Sequence, residues 1–158
     1  MKKKSKYKPR PIRFDTMSYV KSGMIMVADV PVAAVELELT GYEAFDEILK
    51  GNPTKHHVDD LIALVNVTEA LALLRLGYDW LDEIREANNA LKAMASRGLA
   101  GKGFRFTGEE MEVIRTILAL HSEQLKNCPV KKMEEALTLV ENHIKNGKAE
   151  MITPLELV

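Results

Sequence analysis

Histidine and carboxylate side chains first come together at 56–60, where His56 and His57 precede Asp59 and Asp60. His56 and Asp60 are four residues apart and share one face of a helix, a spacing able to hold a metal. Two protein ligands are too few for zinc, and neither a His-Glu-x-x-His string nor a second cluster completes the set. No metal and no cofactor is therefore expected, and the simpler reading is an exposed first helical turn with acids suited to the dipole. His121 falls on an apolar stripe with Met111, Ile114, Leu118 and Leu125. That placement describes a core histidine held by a hydrogen bond rather than a general base facing substrate.

Cys128 stands between Asn127 and Pro129, ahead of a helix start that would lower its pKa. No signature of a cysteine enzyme surrounds it. Gly98, Gly101, Lys102 and Gly103 depart from the phosphate-loop pattern in three ways. The first glycine is too close, a glycine replaces the metal-binding hydroxyl, and a helix precedes them where the motif needs a strand. They read as an interhelical loop. No catalytic residue is assigned, and an enzyme is the least supported class.

Charge is the remaining chemistry. The 158 residues sum to −1, but the first 13 carry Lys2, Lys3, Lys4, Lys6, Lys8, Arg10 and Arg13 with no acid. The rest holds 15 basic against 23 acidic side chains, so a +7 arm precedes a −8 body. Such an arm neutralises phosphates, and Tyr7 between Lys6 and Lys8 suits stacking on a base. In the body, Asp79, Asp82, Glu83 and Glu86 gather at one expected helix start, and Glu109, Glu110 and Glu112 at another. If the two starts adjoin, they form a negative patch able to occupy a basic groove on another protein. Tyr78 and Trp80 beside the first group become contact anchors if exposed.

Hydrophobic residues at 46% and charged residues at 28% describe an ordinary globular chain, and a lone cysteine closes no internal bridge. The chain is expected to be cytoplasmic. Its basic start lacks the apolar run of a signal peptide. The most apolar stretch, 61–76, is interrupted by Asn66, Glu69 and Arg75. It is too polar to span a bilayer.

The elements that must position these groups are mainly helical. Two prolines, Pro9 and Pro11, and like charges keep 1–14 extended as a flexible arm, leaving 15–158 as one domain. A short helix or turn is expected over 15–21. Val35, Leu37 and Leu39 alternate with Glu36 and Glu38, which favours a short strand within 24–39; a helix through the same residues is the alternative. Thr40 and Glu43 match a capping box, opening a helix that Gly51 ends. Pro53 and Thr54 open a second, apolar almost all round and so central, running to about Leu76. Asp79 caps a third, broken by the glycines after Arg97. Thr107 and Glu110 repeat the capping pattern for a fourth. Pro129 suits the first position of a fifth, ended by Asn146 and Gly147. The fold class is thus a compact bundle of about five helices with short antiparallel connections.

The strings Lys-Ser-Lys-Tyr-Lys-Pro-Arg at 4–10, Asp-Thr-Met-Ser-Tyr-Val at 15–20 and Asp-Trp-Leu-Asp-Glu-Ile-Arg at 79–85 resemble a family of small bacteriophage- and prophage-encoded proteins. The likeness runs over most of the chain and brings no catalytic or binding residues with it. It implies a phage accessory protein that works inside a bacterial cell by binding a host macromolecule, as an inhibitor or adaptor and in one version against host defence. Nucleic acid binding through the arm is the second expectation. A homo-oligomer completed across the apolar central helix is the third.

Overall fold

The computed structural model describes residues 26–27, 31–147 and 151–155. Five helices account for most of them: α1 (Pro31–Leu49), α2 (Lys55–Leu73), α3 (Leu81–Leu99), α4 (Gly108–Lys126) and α5 (Val130–Lys145). A 3₁₀ turn, Tyr78–Trp80, links α2 to α3. The arm, its boundary at 14 and the expected turn over 15–21 lie outside the described residues.

Helix α2 is the centre because its sequence leaves it no solvent face. Val58, Leu61, Ile62, Leu64, Val65 and Leu71 are all buried. The other four helices each pack against it. The larger core joins α2 to Phe45 and Ile48 of α1, Ile84, Leu91 and Met94 of α3, and Ile114, Ile117 and Leu118 of α4. A smaller one gathers Val67, Ala70 and Leu71 with Leu125, Cys128, Ala136 and the chain-end residues Val27 and Met151.

The strand expected within 24–39 is corrected. Residues 31–39 are helical, and the extended pairing among the described residues is a single bridge of Met26 with Pro129, where Val27 N–H donates to the Cys128 carbonyl at 2.7 Å. Thr40 consequently lies inside α1 and caps nothing. Its hydroxyl donates to the Glu36 carbonyl at 2.7 Å, the back-bond of a mid-helix threonine. Five alternating residues are too few to set a period against the longer helical run that follows. Gly41 survives in mid-helix because a Cβ there would overlap the Leu64 side chain, so α1 approaches α2 through it.

The other helix starts follow local chemistry closely. Thr107 Oγ1 accepts from Glu110 N–H at 3.2 Å, while Glu110 Oε2 accepts from Thr107 N–H at 2.9 Å. At α2 the same box forms with a histidine: Thr54 Oγ1 accepts from His57 N–H at 3.2 Å and His57 Nδ1 accepts from Thr54 N–H at 3.3 Å. Pro129, expected at the first position of α5, sits one residue earlier as its cap residue. Asp79 makes no cap; it sits inside the 3₁₀ turn, and α3 begins without a side-chain cap. Replacing Thr107→Ala is expected to cost about 1 kcal/mol in urea denaturation, because the boxed amides of α4 lose an acceptor that solvent only partly replaces.

Candidate interaction surface

The end of α2 shapes the most exposed chemistry. Leu76 N–H donates to the Leu71 carbonyl at 2.9 Å and Arg75 N–H to the Ala72 carbonyl at 2.9 Å, the paired bonds of a Schellman stop. The left-handed position falls on Arg75, with φ 74°, where glycine is usual. Its guanidinium lies 4.5 Å from the Tyr78 ring centroid, a cation–π contact that holds both residues in place. Gly77, at φ 92°, turns the chain again into Tyr78–Trp80. Lys132 and Gln124 side chains donate to the Leu74 and Leu76 carbonyls at 2.9 and 2.8 Å, which satisfies these two carbonyls at the helix end.

The result is a fixed turn presenting two large aromatic residues. Tyr78 is 47% and Trp80 45% exposed. Asp79, Asp82 and Glu86 around them are exposed and form no ion pair among the described residues. Glu83 is half-buried, and its Oε2 is buried without a hydrogen-bond partner.

The structure does not bring the second acidic group to this place. Arg97, at the end of α3, donates to Glu110 at 3.1 and 2.5 Å, which fixes the start of α4 beside the end of α3. Gly77 meanwhile faces Leu120 and Gln124 near the end of α4. The two acidic starts therefore sit at opposite ends of an antiparallel pair, separated by the ~28 Å length of a 19-residue helix. The single negative patch expected from sequence does not form. Glu110 is also neutralised: burial would raise its carboxyl, but Arg97 and the Thr107 amide outweigh that and hold it below the usual range. Glu112 pairs with Arg115 at 2.5 Å, and Glu109 stays exposed. Lys2, Lys3, Lys4, Lys6, Tyr7, Lys8, Arg10 and Arg13 lie outside the described residues.

His121 and Cys128, first weighed for catalysis, both lie in the core. His121 is wholly buried. Thr68 donates its hydroxyl to the Leu64 carbonyl at 2.8 Å, so its oxygen accepts the His121 Nδ1–H at 3.0 Å. The neutral tautomer that results leaves Nε2 in the core without a hydrogen-bond partner among the described residues. Burial pushes the imidazole pKa down to about 4, against the pull of the Glu38 carboxylate and the Gln124 side chain. Cys128 is buried as well, and burial pushes its thiol up to about 11 despite nearby Lys132. A helix start does not activate it, because desolvation of the thiolate dominates.

His56 and Asp60 share a helix face at 3.6 Å, while His57 is occupied in its cap. They border a groove of about 560 Å³ between α1 and α2, opposite Glu43, Asp46 and Lys50. Lys50 already bridges Asp46 at 2.5 Å and Glu47 at 3.3 Å. Among the described residues no three His, Cys, Asp or Glu side chains converge on a metal position. The glycine loop closes α3 with left-handed turns at Gly101 and Gly103, and Phe104 folds back onto Gly98, where a Cβ would overlap its ring.

Two buried polar contacts were not legible in the sequence. Glu69 and Asn88, both buried, meet at 2.8 Å between α2 and α3. Asn66, read there only as a break in an apolar run, holds the backbone of Ile152. Its partner lies 86 residues away, beyond the reach of any local pattern. Among the described residues no helix is long and apolar enough to cross a membrane. Comparisons with family models, curated proteins and solved structures return no match.

Proposed function

We propose that this chain acts by binding: a phage-type accessory protein that engages a host macromolecule as an inhibitor or adaptor. The observation carrying this reading is the Tyr78–Trp80 turn, where two half-exposed aromatics stand on a fixed backbone beside carboxylates, Asp79, Asp82 and Glu86, that form no ion pair among the described residues. Aromatic anchors in a charged rim are what binding hot spots are made of. These exposed acids select a partner with a basic surface, such as the nucleic-acid-binding groove of another protein. The contact narrows to Tyr78, Asp79, Trp80, Asp82, Glu83 and Glu86, since the start of α4 with Glu109, Glu110 and Glu112 lies at the opposite end of the helix pair.

The test is affinity capture from bacterial lysate with and without nuclease, using the full chain and a triple variant, Asp82→Asn, Glu83→Gln and Glu86→Gln. Capture that resists nuclease and falls at least tenfold in the variant, with helical circular dichroism unchanged, is the expected outcome. Equal capture by both proteins rejects this surface. The +7 charge of the first 13 residues supports a second reading, nucleic acid binding by the arm. Capture lost with nuclease, and lost again when residues 2–13 are deleted, would favour that reading.

A further inference from the structure

Residues 151–155 lie along α2 and are recognised there through their backbone. Asn66 faces Ile152 with its whole amide: Nδ2 donates to the Ile152 carbonyl at 2.8 Å, and Oδ1 accepts the Ile152 N–H at 3.1 Å. Asp59, seven positions earlier on the helix, accepts the Leu155 N–H at 2.6 Å. Seven helical residues rise about 10 Å, and three extended residues span about 10 Å. The register is that of an extended peptide laid antiparallel to a helix.

Met151 and Ile152 are 7% exposed each and enter the seam between the two core clusters, with Leu155 partly buried against the larger. Thr153 points to solvent, and Pro154 has no N–H to satisfy. Among the described residues, 151–155 form no backbone–backbone hydrogen bond outside regular elements. Polar recognition comes instead from two side chains of α2, as in the capture of a peptide by a groove.

We propose that residues 151–155 are an exchangeable strap, and that their seat on α2 also takes the same segment of a second copy of this chain. The seat asks for a backbone amide pair opposite Asn66, two adjacent long aliphatic side chains and a third three residues on. The segment seen to meet these demands is 151–155, and every copy carries both strap and seat. Exchange rebuilds each contact in trans, and opening the strap leaves the five α-helices intact. Within one chain the strap meets its seat at an effective concentration on the order of millimolar. Occupation in cis therefore prevails in dilute solution, and exchange emerges when one copy's strap is disabled.

Two full-length variants test this. One carries Met151→Asp and Ile152→Asp, leaving the seat intact; the other carries Asn66→Ala, leaving the strap intact. Each alone should elute as a monomer in chromatography with light scattering, and their mixture should yield a one-to-one heterodimer. A labelled peptide of residues 148–158 should bind the first variant at least tenfold tighter than the same variant with Asn66→Ala added. A mixture that stays monomeric, with no peptide bound, overturns the proposal. Hydrogen exchange on the wild-type chain tests the opening step independently of how the variants fold. The Ile152 and Leu155 amides should exchange well before those of Leu61 and Leu118; exchange only at the rate of the slowest core amides would mean that the strap never leaves its seat, and would end the idea.

Discussion

Acidification from pH 7 to pH 4 should remove about 3 kcal/mol of stability through His121 alone. In the unfolded chain this imidazole takes up a proton near its ordinary value of 6.5, whereas in the fold burial delays protonation to about 4. Between those values the unfolded state binds the extra proton, so stability is fully present above pH 6.5 and declines as pH falls toward 4. At roughly 1.4 kcal/mol per pH unit, the interval gives the quoted loss. Glu110 adds a loss of the same sign at lower pH, since its folded carboxyl is held below the ordinary value of 4.5. The contributions separate in a comparison of urea unfolding at pH 7, 6, 5 and 4 for the wild type and His121→Asn. The variant keeps a polar atom near Thr68 but has nothing to titrate, so it should start less stable and lose about 3 kcal/mol less on acidification. Equal pH slopes for the two proteins would show that His121 is not protonated differently in the fold.

Leu61→Ala should cost about 3–5 kcal/mol, toward the upper end for such a truncation. Leu61 is fully buried in the cluster that α2 shares with α1, α3 and α4. A cavity there is walled by separate helices whose positions are set elsewhere, by Gly41 against Leu64 and by Arg97 against Glu110. Such walls cannot relax inward without breaking those contacts, so the lost dispersion is not recovered. The check is the urea midpoint at pH 7 with the transition slope unchanged. A cost below 1 kcal/mol would mean that the bundle repacks freely around α2. The triple substitution at Asp82, Glu83 and Glu86 should move this midpoint far less than Leu61→Ala, because Asp82 and Glu86 form no ion pair among the described residues and the main loss is that of the first-turn acids Asp82 and Glu83 at the start of α3. Stability and partner capture are thereby assigned to different residues.

Much of the bundle was legible because helices announce themselves locally. The nearly continuous apolar run of α2 predicted the central element, and its burial follows from having no polar face. Thr107 with Glu110 predicted the start of α4, and the stripe through Ile114, Leu118 and Leu125 placed His121 in the core. The matching pair Thr40 and Glu43 misled. A cap needs an extended residue at its head, and Thr107 has it, at φ −73° and ψ 167°, after a glycine-broken loop. Thr40 follows residues that continue the helix, so its hydroxyl turns back to Glu36 instead.

What no local pattern contained was adjacency. Composition and spacing determined that five amphipathic or apolar helices would form, that no familiar catalytic string was present, and that acids would gather at two helix starts. Tertiary structure alone decided that those starts lie at opposite ends of a helix pair, that Tyr78 and Trp80 face outward, and that Asn66 holds Ile152. The physical reason is range. Helical hydrogen bonds and caps span three or four residues and can be read along the chain. Burial and side-chain pairing join residues as far apart as 66 and 152, and come into being only once the apolar faces have closed on one another.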